Sequence, residues 1–172
     1  MANVGRAVLQ GGFSLKKILL ALCCSLSAGC VGFYQQPAAT APHATLEAIQ
    51  GPNTLLNGGV QMYWAYYDPG CNDTAETGVL GTRKGEVSER FLLIPDRRIY
   101  VNVMSSGGAN KEGANALRSC ANLVSFIPAV GATYQVIQSV PVSGCVADIT
   151  DKTTGRSPDS FRREAVVGGC SP

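Results

Sequence analysis

The sequence predicts an all-β fold, a small antiparallel β-sandwich. From His43 onward, short runs of β-branched and aromatic residues alternate with clusters of Gly, Pro, Asn and Asp, which is typical of strands and turns in all-β domains. Several of these runs have the two-residue apolar period of half-buried strands. The chain from Val31 to Pro172 is long enough for one core and too short for two, because single domains commonly have about 100–150 residues. We therefore expect one domain over residues 43–172.

Turn residues mark where the predicted strands begin and end. The tripeptide at residues 95–97 (Pro-Asp-Arg) suits a β-turn, and Gly131 can take positive φ in the next turn. Two polar, Gly-rich stretches, Asn72–Glu86 and Ser105–Ala116, are predicted to be loops. The predicted strands are Ala44–Ile49, Val60–Tyr67, Ser88–Ile94, Arg98–Met104, Leu123–Ile127, Thr133–Ile137, Cys145–Thr150 and Ser160–Val167.

One predicted strand is rich in aromatic residues and raises the question of a ligand platform. With a period of two, Met62, Trp64 and Tyr66 face one side of this strand, and Tyr63 and Tyr67 face the other. The core can take up one of these rows, and core packing is the favoured interpretation because aromatic side chains dominate protein cores. The candidates for an exposed aromatic row that binds a ligand are Tyr63, Tyr67, Tyr100 and Tyr134.

The N-terminal region has the composition of an export signal. Lys16 and Lys17 supply positive charge, and the apolar run from Ile18 to Leu26 is too short to span a bilayer as a helix. Small residues follow at positions 27–29 (Ser-Ala-Gly), before a predicted cleavage point. Residues 1–29 are therefore predicted to be a signal peptide.

The stretch at residues 26–30 (Leu-Ser-Ala-Gly-Cys) resembles the lipobox of bacterial lipoproteins. In that family the cysteine becomes the diacylated first residue of the mature chain, so the resemblance implies lipid attachment (palmitate) at Cys30. Ordinary signal-peptidase cleavage after Ala28, or no cleavage, are the alternatives. In such lipoproteins an Asp after the cysteine favours the inner membrane. This chain has Val31 there, which implies the outer membrane, on its periplasmic side, if the source is Gram-negative.

Residues 30–42 are predicted to be a flexible tether between the lipid and the domain. They are small and Pro-rich, and they have no apolar period. About a dozen such residues, at about 3.3 Å each when extended, would let the folded domain stand clear of the lipid headgroups.

A second resemblance lies in the C-terminal half. Cys120 and the segments 126–128 (Phe-Ile-Pro), 131–134 (Gly-Ala-Thr-Tyr) and 145–148 (Cys-Val-Ala-Asp) resemble a recurrent pattern. The pattern occurs in small uncharacterised proteobacterial envelope lipoproteins with transthyretin-like or immunoglobulin-like sandwiches. The resemblance implies that fold for this chain, and it supplies no catalytic residues.

Four cysteines remain in the mature region once Cys30 carries lipid. Cys71, Cys120, Cys145 and Cys170 are an even number in an oxidising compartment, which predicts two disulfides. We favour Cys120–Cys145, because the intervening turn brings these two residues to one end of the sheet, and Cys71–Cys170, because that bond would hold a chain end that otherwise frays. The pairing Cys71–Cys120 with Cys145–Cys170 remains open.

Composition argues against most catalytic and nucleic-acid functions. The only histidine, His43, lies in the linker, so we expect no histidine-based triad, metal site or cofactor in the domain. No C-x-x-C spacing indicates a zinc or redox site. Loss of Arg6, Lys16 and Lys17 with the signal leaves eleven basic and twelve acidic residues, a net charge of −1, which is not the footprint of a nucleic-acid-binding protein.

These observations lead to two hypotheses about function. The first is a non-catalytic envelope lipoprotein with a binding or structural role, held in the membrane at Cys30, with an envelope protein or a glycan as its partner. The second is a small hydrolase that uses carboxylates on the loops Asn72–Glu86 and Ser105–Ala116. An exposed tyrosine row would favour binding, and two loop carboxylates converging in one pocket would favour chemistry.

Overall fold

Nine strands in two sheets form the part of the chain that the structure describes. This computed structural model describes residues 32–49, 60–73, 75–83, 88–106, 119–139 and 145–170. Within them the only helical element is a 3₁₀ turn at Gly168–Cys170, which confirms the predicted all-β class. The strands are β1 (Ala44–Ile49), β2 (Val60–Tyr66), β3 (Gly78–Arg83), β4 (Ser88–Leu93), β5 (Ile99–Ser106), β6 (Ser119–Phe126), β7 (Thr133–Ser139), β8 (Val146–Asp151) and β9 (Arg162–Glu164).

The two sheets differ in strand number and in direction. One has four strands in the order β4-β1-β7-β8, and the other has five in the order β3-β2-β5-β6-β9. Neighbouring strands are antiparallel except β1 and β7, which run parallel with Leu46 opposite Tyr134. The expected sandwich is antiparallel, so this pair departs from the expectation. Parallel neighbours require a long crossover, and here the chain visits the five-stranded sheet between β1 and β7.

A hydrophobic core lies between the two sheets, in a sandwich-like arrangement. Alternate residues of each strand point inward, as the two-residue period requires. The inward side chains of the two sheets belong to one buried cluster, because each sheet alone would leave an apolar face in water. Large members of this cluster are Leu46, Phe91, Val136 and Ile149 from the four-stranded sheet, and Tyr63, Val101, Val103 and Phe126 from the five-stranded sheet.

The stretch 72–86 is not a loop throughout, because it contains β3, which pairs with β2. Two glycines hide this strand in the sequence. A Cβ atom at Gly81 would lie 2.3 Å from Cε1 of Phe91, and one at Gly78 would lie 1.9 Å from the carbonyl oxygen of Gly32. Close packing therefore excludes side chains at both positions, and without side chains a strand shows no apolar period.

Other strand boundaries differ from the predicted ones by a few residues. β5 and β6 pair continuously from Ile99 opposite Phe126 to Ser106 opposite Ser119. β5 therefore extends into the stretch predicted as a loop from Ser105, and β6 begins four residues before the predicted Leu123, because ladder hydrogen bonds use only the backbone. The last strand, β9, has three residues instead of the predicted eight. Residues 107–118 lie outside the described part of the chain.

Residues 32–36 lie along the sheets, where the sequence predicts a tether. The Val79 amide donates to the Gly32 carbonyl at 2.8 Å, and the Tyr34 amide donates to the Val79 carbonyl at 2.9 Å. Tyr34 is 5% exposed and belongs to the core. The sequence gives no sign of this placement, because one buried aromatic side chain in a Pro-rich segment has no periodic pattern around it. The folded part of the chain therefore includes residues before the predicted start at 43.

The four cysteines stand in the two favoured pairs. Cys71 and Cys170 are bonded with their Cα atoms 5.0 Å apart, and Cys120 and Cys145 with theirs 6.0 Å apart. Both distances lie in the usual disulfide range. The first bond fixes the C-terminal segment to the turn that follows β2, and the second joins β6 of one sheet to the residue before β8 of the other. The alternative pairing is not formed.

The predicted export and lipid-attachment features lie outside the described residues. These are the signal peptide at residues 1–29 and the lipid-attachment residue Cys30, and both stay predictions. Among the residues that the structure describes, no helix is long and apolar enough to cross a membrane.

Candidate functional site

The four tyrosines proposed as a binding row do not form one. Tyr63 is 0% exposed and Tyr134 is 3% exposed, and both lie in the core between the sheets. The Tyr63 hydroxyl donates to Oε1 of Gln61 at 3.0 Å. The Tyr134 hydroxyl accepts from the amide of Ala129 at 3.0 Å. Their polar groups are thus satisfied inside the protein, and neither presents a ring to a ligand.

Tyr67 directly follows β2 and makes a contact with the N-terminal segment. Its hydroxyl lies 3.0 Å from that of Tyr34, and the guanidinium carbon of Arg97 lies 3.7 Å from its ring centroid, which is a cation–π distance. Burial, and next the Tyr34 hydrogen bond, raise the pKa of Tyr67 well above its ordinary value. Arg97 covers the face of the Tyr67 ring, and the hydroxyl is bonded to Tyr34. Tyr67 therefore holds the N-terminal segment against the end of β2.

Tyr100 belongs to a second apolar cluster, on the outer face of the five-stranded sheet. Register places Trp64 opposite both Val79 of β3 and Asn102 of β5, and Asn102 opposite Leu123 of β6. The side chains of one cross-strand row share a face, and this face points away from the core. The buried members of the cluster are Trp64, Tyr66, Cys71, Leu123 and Cys170.

The chain after β9 covers this outer face, and we call residues 165–170 the C-terminal strap. Cys170 at its end is bonded to Cys71 and is 1% exposed. Its carbonyl accepts a hydrogen bond from Nδ2 of Asn102, which is itself 0% exposed. Oδ1 of Asn102 has no hydrogen-bond partner within the described residues. The strap thus closes over a polar side chain as well as over aromatic rings.

Four partly exposed side chains surround the covered centre of this face. They come from β2, β3 and β5, and each packs against the buried cluster. They combine flexible thioethers with an aliphatic and an aromatic group, which is the composition favoured at the centre of protein–protein contacts. We call them the apolar rim: Met62, Val79, Tyr100 and Met104.

The outer face of the four-stranded sheet has a different chemistry. Glu47 on β1 accepts from Nε of Arg90 at 2.8 Å and from Nζ of Lys152 at 2.7 Å. Glu47 lies opposite Arg90 on β4 and opposite Gln135 on β7. The hydrogen bond from Lys152, helped by the charges of Lys152 and Arg90, lowers the pKa of the Glu47 carboxyl. This face is polar and charged at its centre.

A buried polar cluster joins the two sheets near Cys120–Cys145. Nε2 of Gln138 donates to the Val103 carbonyl at 3.0 Å and to Oδ1 of Asn122 at 2.8 Å, and Ser105 donates to its Oε1. Nδ2 of Asn122 donates to the Cys145 carbonyl at 3.0 Å. Satisfied polar groups of this kind fix how two sheets pack, so this cluster has a structural role.

Ser125 and Glu164 form a hydroxyl–carboxylate pair between β6 and β9. The Ser125 hydroxyl donates to Oε1 of Glu164 at 2.6 Å and accepts from Nη1 of Arg98 at 2.8 Å. Ser125 is 0% exposed, so its oxygen is not open to a substrate. The pair fastens β9, which has only three residues, to its neighbour β6.

Two more of the described carboxylates hold a turn and an ion pair. Asp68 accepts from the amides of Gly70 and Asn72 at 3.1 and 3.0 Å, and the bond from the Asn72 amide is the main cause of its lowered pKa. Asp148 pairs with Arg163. Within the described residues, no three His, Cys, Asp or Glu side chains are placed to hold a metal ion. The two loops proposed to carry catalytic carboxylates lie partly outside the described residues.

Sequence reasoning found the row that forms the candidate site but assigned it no function. Met62, Trp64 and Tyr66 were separated from Tyr63 by strand period alone, and the structure places this row on the outer face. The Cys71–Cys170 disulfide that holds the strap is one of the predicted pairs, but local pattern does not show that the segment it fastens lies over this row. No family model, curated protein or solved structure matches this chain.

Proposed function

We propose that this chain is a non-catalytic, lipid-anchored binding module of the bacterial envelope. The observation that carries the binding role is the outer face of the five-stranded sheet, where an apolar rim surrounds a strap-covered aromatic centre. Partly exposed apolar side chains around a rigid centre are typical of surfaces that receive another protein.

The compartment rests on sequence and is supported by the cysteines. The resemblance of residues 26–30 to a lipobox implies a diacyl anchor at Cys30, and Val31 after it favours the outer membrane, with the domain facing the periplasm. The two bonded cysteine pairs are in accord with an oxidising compartment, because structural disulfides persist outside the cytosol. A transthyretin-like or immunoglobulin-like sandwich, as in the envelope lipoproteins that the chain resembles, is our proposal for the fold type.

A protein is a better partner for this surface than a glycan. Glycan recognition by tyrosines would use exposed rings, and Tyr63 and Tyr134 are in the core. The apolar rim instead offers Met62 and Met104, whose flexible thioethers adapt to a partner surface. An envelope protein is therefore the partner that we propose.

Acyl labelling of the full precursor tests the anchor. Cells expressing wild type or Cys30→Ala are fed a palmitate analogue, and membranes are separated from soluble proteins. We expect label and membrane recovery for wild type, and loss of both for Cys30→Ala, because each buried acyl CH₂ contributes about 0.8 kcal/mol to membrane binding. Cys24→Ala is the matched control, since Cys24 lies within the apolar run of the signal, and it should keep the label. Equal labelling of wild type and Cys30→Ala would contradict the proposal.

A further inference from the structure

The N-terminal segment, residues 32–36, is fastened to both sheets. Along β3 of the five-stranded sheet it makes the two backbone bonds between Gly32, Tyr34 and Val79. Along β4 of the four-stranded sheet, the Leu92 amide donates to Oε1 of Gln36 at 2.7 Å, and the Ile94 amide donates to the Tyr34 hydroxyl at 3.1 Å. The segment therefore closes the side of the sandwich where β3 and β4 are the edge strands.

Gly32 packs directly against the backbone of β3. Gly78 has φ +132, and a side chain there would collide with the Gly32 backbone. The Val79 amide is bonded to the Gly32 carbonyl. The position of residue 32 is thus set by β3 itself.

Cys30 precedes Gly32 by only two residues. An extended chain spans at most about 3.6 Å per residue, so the Cα atoms of these residues are at most about 7 Å apart. A lipid on Cys30 would therefore emerge directly beside the β3 edge. The long tether that composition predicts at residues 30–42 is not available to separate the domain from the membrane.

The next residue, Phe33, is 68% exposed, more than any other large hydrophobic side chain in the described residues. Its backbone is bridged to Val79 on the β3 edge. Apolar side chains such as Phe insert at the boundary between headgroups and acyl chains, and an exposed Phe beside a lipid anchor would be within reach of that boundary. The bridge puts the Phe33 side chain on the same face as Val79, at the outer edge of the five-stranded sheet, so Phe33 is a second apolar group next to the point where the anchor emerges.

We infer that the sandwich stands on its β3–β4 side, with Phe33 in contact with the membrane that holds the lipid of Cys30. This inference rests on the proposed lipid attachment and adds an orientation to it. The outer faces of both sheets then point sideways, parallel to the membrane surface. The β3–β4 side of the domain therefore faces the lipid bilayer.

Tryptophan quenching by brominated lipids tests this orientation. The full precursor is expressed as Phe33→Trp or Val166→Trp, and the acylated product is placed in phosphatidylcholine vesicles with or without brominated acyl chains. Val166 is 41% exposed and follows β9, which is four strands, or about 19 Å, from β3 in the sheet order. Wild type gives the baseline, because its single tryptophan, Trp64, is 3% exposed.

The emission of each introduced tryptophan is the emission of the variant minus that of wild type. We expect brominated lipid to reduce this emission for Phe33→Trp and to leave it unchanged for Val166→Trp. An eight-residue Gly/Ser insertion between Val31 and Gly32 adds a link of about 15 Å and should weaken the quenching of Phe33→Trp. Equal quenching of both variants, no quenching of either, or no effect of the insertion would overturn the orientation.

Acyl labelling of the same proteins separates the two proposals. If the Phe33→Trp protein carries the label but its added emission is not quenched, the orientation is overturned and the lipoprotein proposal stays in place. Protein that carries no label at Cys30 overturns the lipoprotein proposal and the orientation with it.

Discussion

The outer faces of the two sheets show two ways in which a two-sheet β fold shields the surface that its core does not use. On the five-stranded sheet, aromatic side chains are covered by the C-terminal strap, and an apolar rim remains around it. On the four-stranded sheet, Glu47 lies between Arg90 and Lys152. Both faces follow the two-residue period, so the period alone does not distinguish them.

The difference between the two faces shows the role of the Cys71–Cys170 bond, which holds a cover over an apolar face. Three strands place Trp64, Asn102 and Leu123 in one row, and without a cover this row would be an apolar patch of the kind that associates. The Cys71–Cys170 bond holds the cover in place. The four-stranded sheet needs no cover, because its central row is charged.

Removing the strap bond should have the largest effect. For Cys71→Ala with Cys170→Ala, we expect the free energy of unfolding to fall by about 4.7 kcal/mol, as the chain-entropy model gives for a loop near 100 residues; the sequence separation is 99. Release of the strap should also shift Trp64 emission to the red. Denaturant unfolding followed by fluorescence measures both.

The second disulfide supplies the control for that experiment. Cys120→Ala with Cys145→Ala opens a loop with a separation of 25, for which the same model gives about 3.5 kcal/mol. This bond lies away from the outer cluster, so native-state emission of Trp64 should not change. A red shift in both variants, or in neither, would show that the strap does not cover this face.

Asn102→Ala should have a smaller effect on the same face. It leaves the Cys170 carbonyl without its donor, which costs about 1–3 kcal/mol for a buried group. The cost should shrink in the Cys71→Ala, Cys170→Ala background, because the released strap returns this carbonyl to water. Urea unfolding of wild type, Asn102→Ala, the Cys71→Ala, Cys170→Ala variant and the combined variant gives the coupling free energy between Asn102 and the strap bond. Equal costs in both backgrounds would show that Asn102 does not act through the strap.

Glu47→Gln should have the smallest effect and act only on the other face. We expect a loss of about 1 kcal/mol at pH 7, since the partners are exposed to solvent. Folding lowers the pKa of Glu47, so its contribution is present above the unfolded value of about 4.3. It is lost as the pH falls through the folded pKa. Urea unfolding between pH 7 and pH 3 measures this, and a pH-independent difference would contradict it.

Local chemistry made several features of this fold predictable. Runs such as Thr133–Ile137 alternate in polarity and are strands in the structure. The turn at residues 95–97 holds Asp96 at φ 59, a conformation that Asp tolerates better than most residues. The disulfide pairs were accessible because strand order and chain ends limit which cysteines can meet.

The features that sequence did not reveal depend on distant partners. β3 lacks a pattern because Phe91 and Gly32 occupy the space of its missing side chains. Tyr34 is buried by strands that begin more than forty residues later. The ion pair of Glu47 with Lys152 joins residues 105 positions apart, and the strap lies on a face formed by strands that are distant from it in sequence. Apolar periodicity shows which face of a segment is buried. It does not show which other segment packs against that face.

Photo-crosslinking in cells tests the central claim, that the outer face of the five-stranded sheet receives an envelope protein. The photoreactive residue p-benzoylphenylalanine replaces Met104 in the apolar rim or, as the control, Ile137, a partly buried apolar residue on the outer face of the four-stranded sheet. Irradiation should give a discrete protein adduct from position 104 and none from position 137. An adduct from position 137 alone, or from neither position, would contradict the claim.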